Sequence, residues 1–341
     1  MKKYFVLAAI AMIAFAGCKK EESGMVTLKV GVENTDGMDK QTYNTQLNRI
    51  MFNSEAMYIN GGRYGVAPLN EDSDPYTTRD NSYRGGLNVP GNVLYGHSFI
   101  AGYPADVYAG AYDATTDTWV LADGMMDESY MICDVNTDDF GNVVMSSDYR
   151  AWPMVAYDEC GSCIAESGRF LLKNTVAILS PSFLYGVNWF NAMNTKFQMN
   201  YGPLTASNLP AVTVTKIEII SSSELLSGDA YVEGVTTANP LLVMDGRPCE
   251  NMITLYDCGT YTSEQNTNFV NPNIMGQIPV AVFQNATNLR MNMYFTIGNY
   301  SFVYHGPSVR FTPDMTVRSK RTVLQVNMRD AVNMDRFVED N

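Results

Sequence analysis

The sequence has little of what common enzyme and nucleic-acid-binding sites require. It contains two histidines, His97 and His305, and none of the H-E-x-x-H, G-x-S-x-G or P-loop motifs. Its 23 Lys and Arg are outnumbered by 36 Asp and Glu, which gives a net charge of −13. Such a chain lacks the basic patch that would neutralise phosphates, so we expect no nucleic-acid partner. We also expect no enzymatic activity and no cofactor.

Metal-binding patterns are also sparse. The segment with Asp134, Asn136, Asp138 and Asp139 is rich in oxygen ligands but lacks the full EF-hand pattern for calcium. A single C-x-x-C with two distant histidines cannot supply the four ligands of a structural zinc site. We therefore predict no metal centre.

Cysteines are few. Five follow Cys18, namely Cys133, Cys160, Cys163, Cys249 and Cys258. Because the number is odd, at least one of them is unpaired within the chain. The disulfide candidates are Cys160, Cys163, Cys249 and Cys258. For Cys160 and Cys163, the polar surroundings favour a local disulfide or two thiols over a redox motif.

A long apolar run is missing except at the start of the chain. Residues 4–16 are apolar, and these 13 residues are fewer than the roughly 20 that a membrane-spanning helix needs. Lys2 and Lys3 precede the run and Ala16-Gly17-Cys18 ends it, as in a signal peptide. This end resembles the bacterial lipobox, which predicts a signal peptide over residues 1–17 and a lipidated Cys18. The alternative is an ordinary signal peptide followed by a chance cysteine.

A charged tether follows over residues 18–24. Lys20 before Glu21 and Glu22 resembles the surface-export signal of Bacteroidota lipoproteins, and a merely solvated tether is the alternative. Acyl chains on Cys18 would anchor the protein to the outer membrane without crossing it. We therefore expect a surface-exposed lipoprotein.

Short strands dominate the rest of the chain. Val26, Leu28, Val30 and Val32 alternate with less apolar residues, which predicts a strand with one buried face. Residues 60–90 are rich in Gly, Pro, Asn and Asp and favour loops and turns. One short helix is predicted over residues 184–193. Further strands are predicted over residues 49–52, 98–101, 107–112, 138–145, 169–179, 211–220, 230–232, 241–244, 278–283, 289–297 and 322–328.

Many short strands separated by turns indicate an all-β protein built from β-sandwiches. The composition becomes polar over residues 158–168, where we place a domain boundary. The prediction is an N-terminal domain over residues 25–165 and a C-terminal domain over residues 166–341.

Two segments of the second half carry a family resemblance. They are Phe170-Leu171-Leu172-Lys173-Asn174-Thr175-Val176-Ala177-Ile178-Leu179 and, after about forty residues, Val214-Thr215-Lys216-Ile217-Glu218-Ile219-Ile220-Ser221 with Leu226-Ser227-Gly228-Asp229-Ala230-Tyr231-Val232. Here the chain resembles the fimbrillin family, the type V pilins and related lipoproteins of Bacteroidota. The order of parts is similar over the whole mature chain, and the match is sharpest over residues 170–232. The resemblance implies two tandem transthyretin-like sandwiches.

The resemblance also implies a processing step. In the family, a trypsin-like protease cuts after an Arg that follows the first strand, and Arg49 stands at that place as the first Arg of this chain. The cut would release Val26, Leu28, Val30 and Val32 together with the lipid. An Arg in a solvated loop is the alternative.

The groove left by that strand would accept a strand from another subunit. The donor candidates lie at the C-terminus: Val323, Leu324, Val326, Met328, Val332, Met334, Phe337 and Val338. The alternative is that residues 322–328 form the last strand of their own domain while residues 330–341 form the loose tail.

These expectations point to a stalk, tip or anchor subunit of a cell-surface fimbria that supports adhesion, assembled with other pilin subunits by donor-strand exchange. The alternative is a surface lipoprotein that does not polymerise and binds glycans or other ligands of host or bacterial surfaces. Trp119, Trp152 and Trp189 are its aromatic candidates, although a role as buried core aromatics explains them more simply.

Overall fold

The computed structural model describes residues 24–33, 56–68, 83–123, 134–137, 143–146, 153–261, 273–274, 278–318, 321–328 and 334–340. Strands make up most of these residues, so the predicted all-β class is confirmed. Cys18, Arg49, Cys133, Trp152 and Val332 lie outside the described residues.

Within these ranges, no helix combines the length and the apolar character that crossing a membrane would require.

The strands are numbered in chain order. Those before residue 160 are β1 (Met25–Val32), β2 (Ala56–Ile59), β3 (Gly62–Gly65), β4 (Ala67–Pro68), β5 (Tyr83–Pro90), β6 (Phe99–Tyr103), β7 (Thr118–Val120), β8 (Asp134–Thr137), β9 (Val143–Ser146) and β10 (Met154–Asp158). Those after residue 160 are β11 (Arg169–Asn174), β12 (Ala177–Tyr185), β13 (Val212–Ser221), β14 (Ser227–Glu233), β15 (Leu241–Glu250), β16 (Met252–Tyr261), β17 (Asn273–Ile274), β18 (Ile278–Val280), β19 (Thr287–Ile297), β20 (Tyr300–His305), β21 (Val309–Phe311), β22 (Arg321–Met328) and β23 (Phe337–Glu339).

Helices are short and few in the described ranges. The α-helices are α1 (Gly91–Leu94), α2 (Gly161–Ser167) and α3 (Val187–Phe197). Single 3₁₀ turns occupy Ala105–Val107, Pro313–Met315 and Met334–Arg336. The predicted helix over 184–193 corresponds to α3, which begins after Gly186 and buries Trp189, Phe190 and Met193 on one face.

The largest sheet joins strands from distant parts of the sequence. Its eight strands lie in the order β3-β2-β6-β10-β11-β1-β5-β4. The first strand, β1, therefore lies inside the sheet, antiparallel to β5 and parallel to β11. Parallel pairing requires a long connection between the two strands, and here it spans most of the first half of the chain.

Most of the remaining strands form two further sheets and a smaller group. A six-stranded sheet has the order β16-β13-β19-β20-β23, with β21 paired to β19. In a four-stranded sheet, β12 pairs with β17, β18 and β22. The strands β15-β14-β7 form a three-stranded sheet, and β8 pairs with β9.

Within the described part of the chain, two hydrophobic clusters hold the sheets together. One contains Leu28, Leu87, Phe99 and Phe170 from the eight-stranded sheet. The other is larger and joins the six-stranded and four-stranded sheets to α3 and to the β14–β15 region. Burial of apolar surface on this scale is the main force that holds the strands in place.

The clusters cross the predicted domain boundary. Strand β11 follows residue 165 but belongs to the eight-stranded sheet, and β7 precedes residue 165 but pairs with β14. The division into residues 25–165 and 166–341, and the arrangement as two tandem sandwiches, stay predictions.

The prediction that residues 60–90 form loops and turns is wrong at both ends of this range. Asn60 and Gly61 do form a turn, with φ of 46° and 81°, but it joins β2 to β3 in a hairpin. Strand β5 then contains Gly85 and Gly86, which the composition assigns to a turn. Hydrogen bonding on both sides, to β1 and β4, and burial of Leu87 stabilise this strand despite its two glycines.

The strand predicted over residues 107–112 is also wrong. Val107 ends a 3₁₀ turn, Tyr108 makes one isolated bridge to Leu121, and Gly110 turns the chain at a φ of 74°. The indole nitrogen of Trp119 donates to the Gly110 carbonyl at 3.1 Å. Val107 and Tyr108 are both buried in the larger cluster. The apolar pattern of this segment therefore reflects burial in the core, which does not require a strand.

Candidate functional site

The first strand, β1, is the element that we expect processing to release. The predicted alternation of buried and exposed side chains is present along it. Leu28, Val30 and Val32 are between 0 and 4% exposed, while Val26 is half-buried. Each fully buried side chain of this kind stabilises the fold by about 1.5–3 kcal/mol. The strand is thus an integral part of the core of its sheet.

The backbone of β1 is bonded on both edges. Against β5 the register pairs Leu28 with Leu87 and Val30 with Gly85. Against β11 it pairs Val30 with Phe170 and Val32 with Leu172. If β1 were absent, β5 and β11 would both present open edges on either side of an apolar slot.

Helix α2 supports the start of the parallel pairing. It ends at Ser167 and is capped by Gly168, whose φ of 64° is the left-handed geometry that favours glycine. The Gly168 carbonyl then accepts a hydrogen bond from the Lys29 backbone N–H at 2.8 Å. The turn that ends the helix is therefore also the first contact with β1.

The C-terminal end of β1 is tied to the C-terminal part of the chain. Both Nη atoms of Arg318 lie 3.3 Å from Oε2 of Glu33, the residue that follows β1. The same guanidinium donates to the Asn174 carbonyl at 3.0 Å and to Oδ1 of Asn239 at 2.8 Å. The Arg318 side chain is 10% exposed, so these bonds are largely shielded from water.

Strand β22 contains the first group of donor candidates and is paired within this chain. It runs parallel to β12 over eight register pairs, from Arg321 opposite Ile178 to Met328 opposite Tyr185. Val326 is buried, Leu324 is partly buried and Val323 is 39% exposed; of Met328 only the backbone is described. This agrees with the alternative in which residues 322–328 belong to their own domain.

The second group of candidates lies on the six-stranded sheet. Strand β23 pairs with β20, and the ring of Phe337 lies 5.0 Å from that of Tyr304 and 5.8 Å from that of Trp189. Phe337 is 1% exposed, and Met334 is partly buried against the same cluster.

Lys196 of α3 fixes this terminal segment. Its Nζ donates to the Met334 carbonyl at 2.7 Å and to the Phe337 carbonyl at 2.8 Å. The prediction that residues 330–341 form a loose tail is therefore wrong for residues 334–340. The pairing of β23 with β20, the buried Phe337 ring and the bonds from Lys196 together dock a segment whose composition is polar.

The described cysteines fall into three cases. Cys160 and Cys163 form a disulfide at the start of α2. Cys258 is buried in the larger cluster. Only the backbone of Cys249 is described, on β15, so its pairing stays open.

The tryptophans do not form an exposed binding surface in the described ranges. Trp119 is 2% exposed and Trp189 is fully buried. Trp189 lies among aromatic rings that include Phe183, Phe190 and Phe295. For these two residues the structure agrees with a core role.

The outer face of the six-stranded sheet carries a polar network around Glu218. Its carboxylate accepts hydrogen bonds from Lys216 Nζ at 2.9 Å, Asn292 Nδ2 at 3.2 Å and the Tyr294 hydroxyl at 3.1 Å. Burial alone would raise the pKa of Glu218, but these bonds outweigh it and lower the pKa. Nζ of Lys216 also lies 3.6 Å from the centre of the Tyr294 ring. Nothing in the sequence pattern singles out these residues beyond their place on predicted strands.

Among the described residues, no group of three or more His, Cys, Asp or Glu side chains could hold a metal ion. Asp134 and Asn136 lie on β8, while Asp138 and Asp139 lie outside the described residues.

No family model and no curated protein matches the chain. Solved structures with some similarity include three proteins named "putative cell adhesion protein". That of Bacteroides uniformis is 10% identical, with 93% of this chain and 96% of that chain covered and a TM-score of 0.36. That of Bacteroides eggerthii is 9% identical, with 92% and 88% covered and a TM-score of 0.37. That of Parabacteroides distasonis is 13% identical, with 94% and 90% covered and a TM-score of 0.36. Scores this low do not establish a shared fold.

Proposed function

We propose that the chain is a subunit of a cell-surface fimbria that supports adhesion, delivered to the outer membrane as a lipoprotein anchored through Cys18. The observation that carries the proposal is the position of β1, which lies inside its sheet between β5 and β11 although it is the first described element. In this proposal, proteolysis after Arg49 separates β1 from the body of the protein. The lipid leaves with it.

Loss of β1 would create a strand-shaped acceptor site. Leu28, Val30 and Val32 would leave apolar pockets, and β5 and β11 would each lose a hydrogen-bonded neighbour. A strand supplied by another subunit can replace both kinds of contact, with main-chain bonds giving affinity and alternate side chains giving register. Because donor and acceptor are different surfaces, the contact can repeat from one subunit to the next, and it produces a filament when the repeat does not close into a ring.

The C-terminal segments are the donor candidates in this proposal. Strand β23 is short and lies at the end of the strand order of its sheet, so it has fewer backbone bonds to lose than β22. Release of β23 would first break the two bonds from Lys196 and withdraw Phe337 from the core. A subunit would thus keep its donor docked until assembly.

The proposal is tested with a chain that begins at Lys19, which retains every described strand and helix. Limited digestion with an arginine-specific protease should produce a new N-terminus at Ile50, followed by oligomers that resist SDS at room temperature. The protease leaves Lys29 and Lys40 intact, so an early product reports on the arginines alone.

The matched variant is Arg49→Lys, which keeps the positive charge but removes the protease site. It should remain uncut at residue 49 and monomeric under the same conditions. Wild-type chains that are cut after Arg49 and stay monomeric would refute polymerisation by strand exchange, and wild-type chains that are never cut there would refute the processing step.

A further inference from the structure

The two halves of the Cys160–Cys163 disulfide differ in their access to solvent. Cys163 is exposed, whereas Cys160 is half-buried at the position that precedes α2. Exposed disulfides are the ones that thiols open most readily, while buried structural disulfides resist reduction. Because the attacking species is a thiolate that must reach a sulfur atom, the exposed half identifies Sγ of Cys163 as its target.

The other sulfur, Sγ of Cys160, has hydrogen-bond donors beside it. It accepts from the Cys163 backbone N–H at 3.2 Å and lies 3.3 Å from the hydroxyl oxygen of Ser162. Since a disulfide sulfur carries no hydrogen, the hydroxyl is the donor in the second contact. Hydrogen bonds to an ionised acceptor are stronger than those to a neutral one, so both donors would stabilise a thiolate on Cys160. A sulfur that is stabilised as a thiolate leaves faster in thiol–disulfide exchange.

Helix α2 connects this disulfide to β1. Gly161, inside the disulfide loop, donates its backbone N–H to the His97 carbonyl at 2.9 Å, and a Cβ at this position would collide with the carbonyl oxygens of Leu94 and His97. At the other end of the helix, the Gly168 carbonyl accepts from the Lys29 backbone N–H. The helix therefore extends from the disulfide to the first contact of the parallel pairing.

Helix α2 has few contacts of its own to maintain it. It contains seven residues, and isolated helices shorter than about 12–15 residues are marginal in water. Ile164 and Ala165 are only partly buried against the cluster of the eight-stranded sheet. Because a disulfide stabilises mainly by restricting the unfolded chain, opening it would let α2 unfold more often and would weaken the bond to Lys29.

We propose that Cys160–Cys163 is a site of reversible thiol–disulfide exchange with small thiols, and that its redox state sets how firmly α2 holds the start of the β1–β11 pairing. A thiolate forms a bond to Sγ of Cys163, the S–S bond breaks, and its electron pair leaves on Sγ of Cys160. A second thiol group then displaces Cys163 from the mixed disulfide. Two thiol groups are oxidised to a disulfide, and their two protons end on the cysteines. The proposal stands whether or not Arg49 is cut.

The first experiment measures how fast dithiothreitol opens the disulfide in the chain that begins at Lys19. Samples are quenched in acid, alkylated and mapped as peptides. The rate constant should stay the same as urea is raised to just below the unfolding transition, because the reaction requires only the exposed sulfur. A rate constant that rises with urea in parallel with global unfolding would overturn exchange in the folded protein.

A pair of serine variants tests which sulfur leaves. Ser162→Ala removes one donor beside Sγ of Cys160 and should slow the opening by about threefold, the contribution of one hydrogen bond. Ser167→Ala, at the far end of the same helix, removes hydrogen bonds to the Ile164 and Arg169 carbonyls and should leave the rate unchanged. An unchanged rate in Ser162→Ala, or equal slowing in both variants, would overturn the role given to Cys160.

Amide hydrogen exchange tests the link to β1. The Lys29 amide should exchange about tenfold faster in the reduced protein than in the oxidised protein, whereas the amides of β13 in the six-stranded sheet should not change. The double variant Cys160→Ser, Cys163→Ser should show the same acceleration without reductant, which separates loss of this disulfide from other effects of the thiol. Circular dichroism verifies that the variants fold. Equal exchange of Lys29 in the oxidised and reduced wild-type protein would overturn the link.

Discussion

The guanidinium of Arg318 forms an ion pair with the carboxylate of Glu33, which lies 285 positions away in the sequence, and both Nη atoms are 3.3 Å from the same oxygen. Glu33 directly follows the first strand, and Arg318 precedes β22, the strand that carries the first group of donor candidates. The pair therefore links the element that we propose to be removed with the part of the chain that we propose to supply its replacement.

Substitution of Arg318 by Met should lower the free energy of unfolding by about 1–3 kcal/mol, because the buried Asn174 carbonyl loses a donor together with Glu33 and Asn239. Urea denaturation followed by fluorescence measures the change. Arg63→Met is the matched control, since its ion pair with Asp106 is half-exposed and should contribute less than about 0.5 kcal/mol. Equal losses in the two variants would contradict the role given to Arg318.

Leu28→Ala should destabilise the protein by about 2–5 kcal/mol, because it removes buried methyl groups from the centre of β1 and leaves a cavity beside Leu87. Met25→Ala lies on the same strand at a position that is 64% exposed and should change stability little. Thermal unfolding monitored by circular dichroism distinguishes the two. A Leu28→Ala melting curve that overlays the wild-type curve would show that β1 adds nothing to the core.

Phe337→Ala should remove about 3–5 kcal/mol of stability from the terminal segment, since its ring contacts Trp189, Phe295 and Tyr304. Amide hydrogen exchange of residues 334–340 should accelerate in this variant. Val338→Ala, the neighbouring position with 47% exposure, should leave exchange close to wild type. Fast exchange of these residues in the wild-type protein would mean that the segment is not docked.

Glu218 gives the fold a defined dependence on pH. Its folded-state pKa is lowered below the ordinary value of 4.5, so its contribution is fully present above that value and is lost as the pH falls through the folded pKa. At pH 7 the Glu218→Gln variant should be less stable by about 1 kcal/mol. A series of urea titrations between pH 5 and pH 3 should show this difference shrinking as the pH falls. A difference that stays constant over this range would contradict the lowered pKa.

Much of the strand content could be read from the sequence, because alternation and β-branched residues report local burial. Strand β1 and strand β13 lie within a residue or two of their predictions. Strand β5 could not be found in this way, since Gly85 and Gly86 are held as a strand by neighbours on both sides and by nothing in their own composition. Helix α2 was missed for a similar reason: its cap is the sulfur of Cys160, which accepts from the Cys163 N–H, and cysteine is not a usual capping residue.

Only part of the candidate site could be predicted from the sequence. The buried face of β1 follows from its periodicity, but its pairing with β11 joins segments more than a hundred residues apart, for which the sequence offers no local signal. The same is true of Arg318, a single arginine in a polar stretch, and of Lys196, whose role depends on where the C-terminus returns. Long-range contacts of this kind arise from the packing of complete sheets.

The most direct test of the account is the N-terminus of the protein recovered from the surface of the cells that make it, in its filamentous and its monomeric fractions. The account predicts Ile50 at the N-terminus of the filamentous fraction, with the lipidated Cys18 confined to uncleaved or released material. Filaments whose subunits all begin at the lipidated Cys18, or surface protein that is wholly monomeric and wholly uncut, would contradict it.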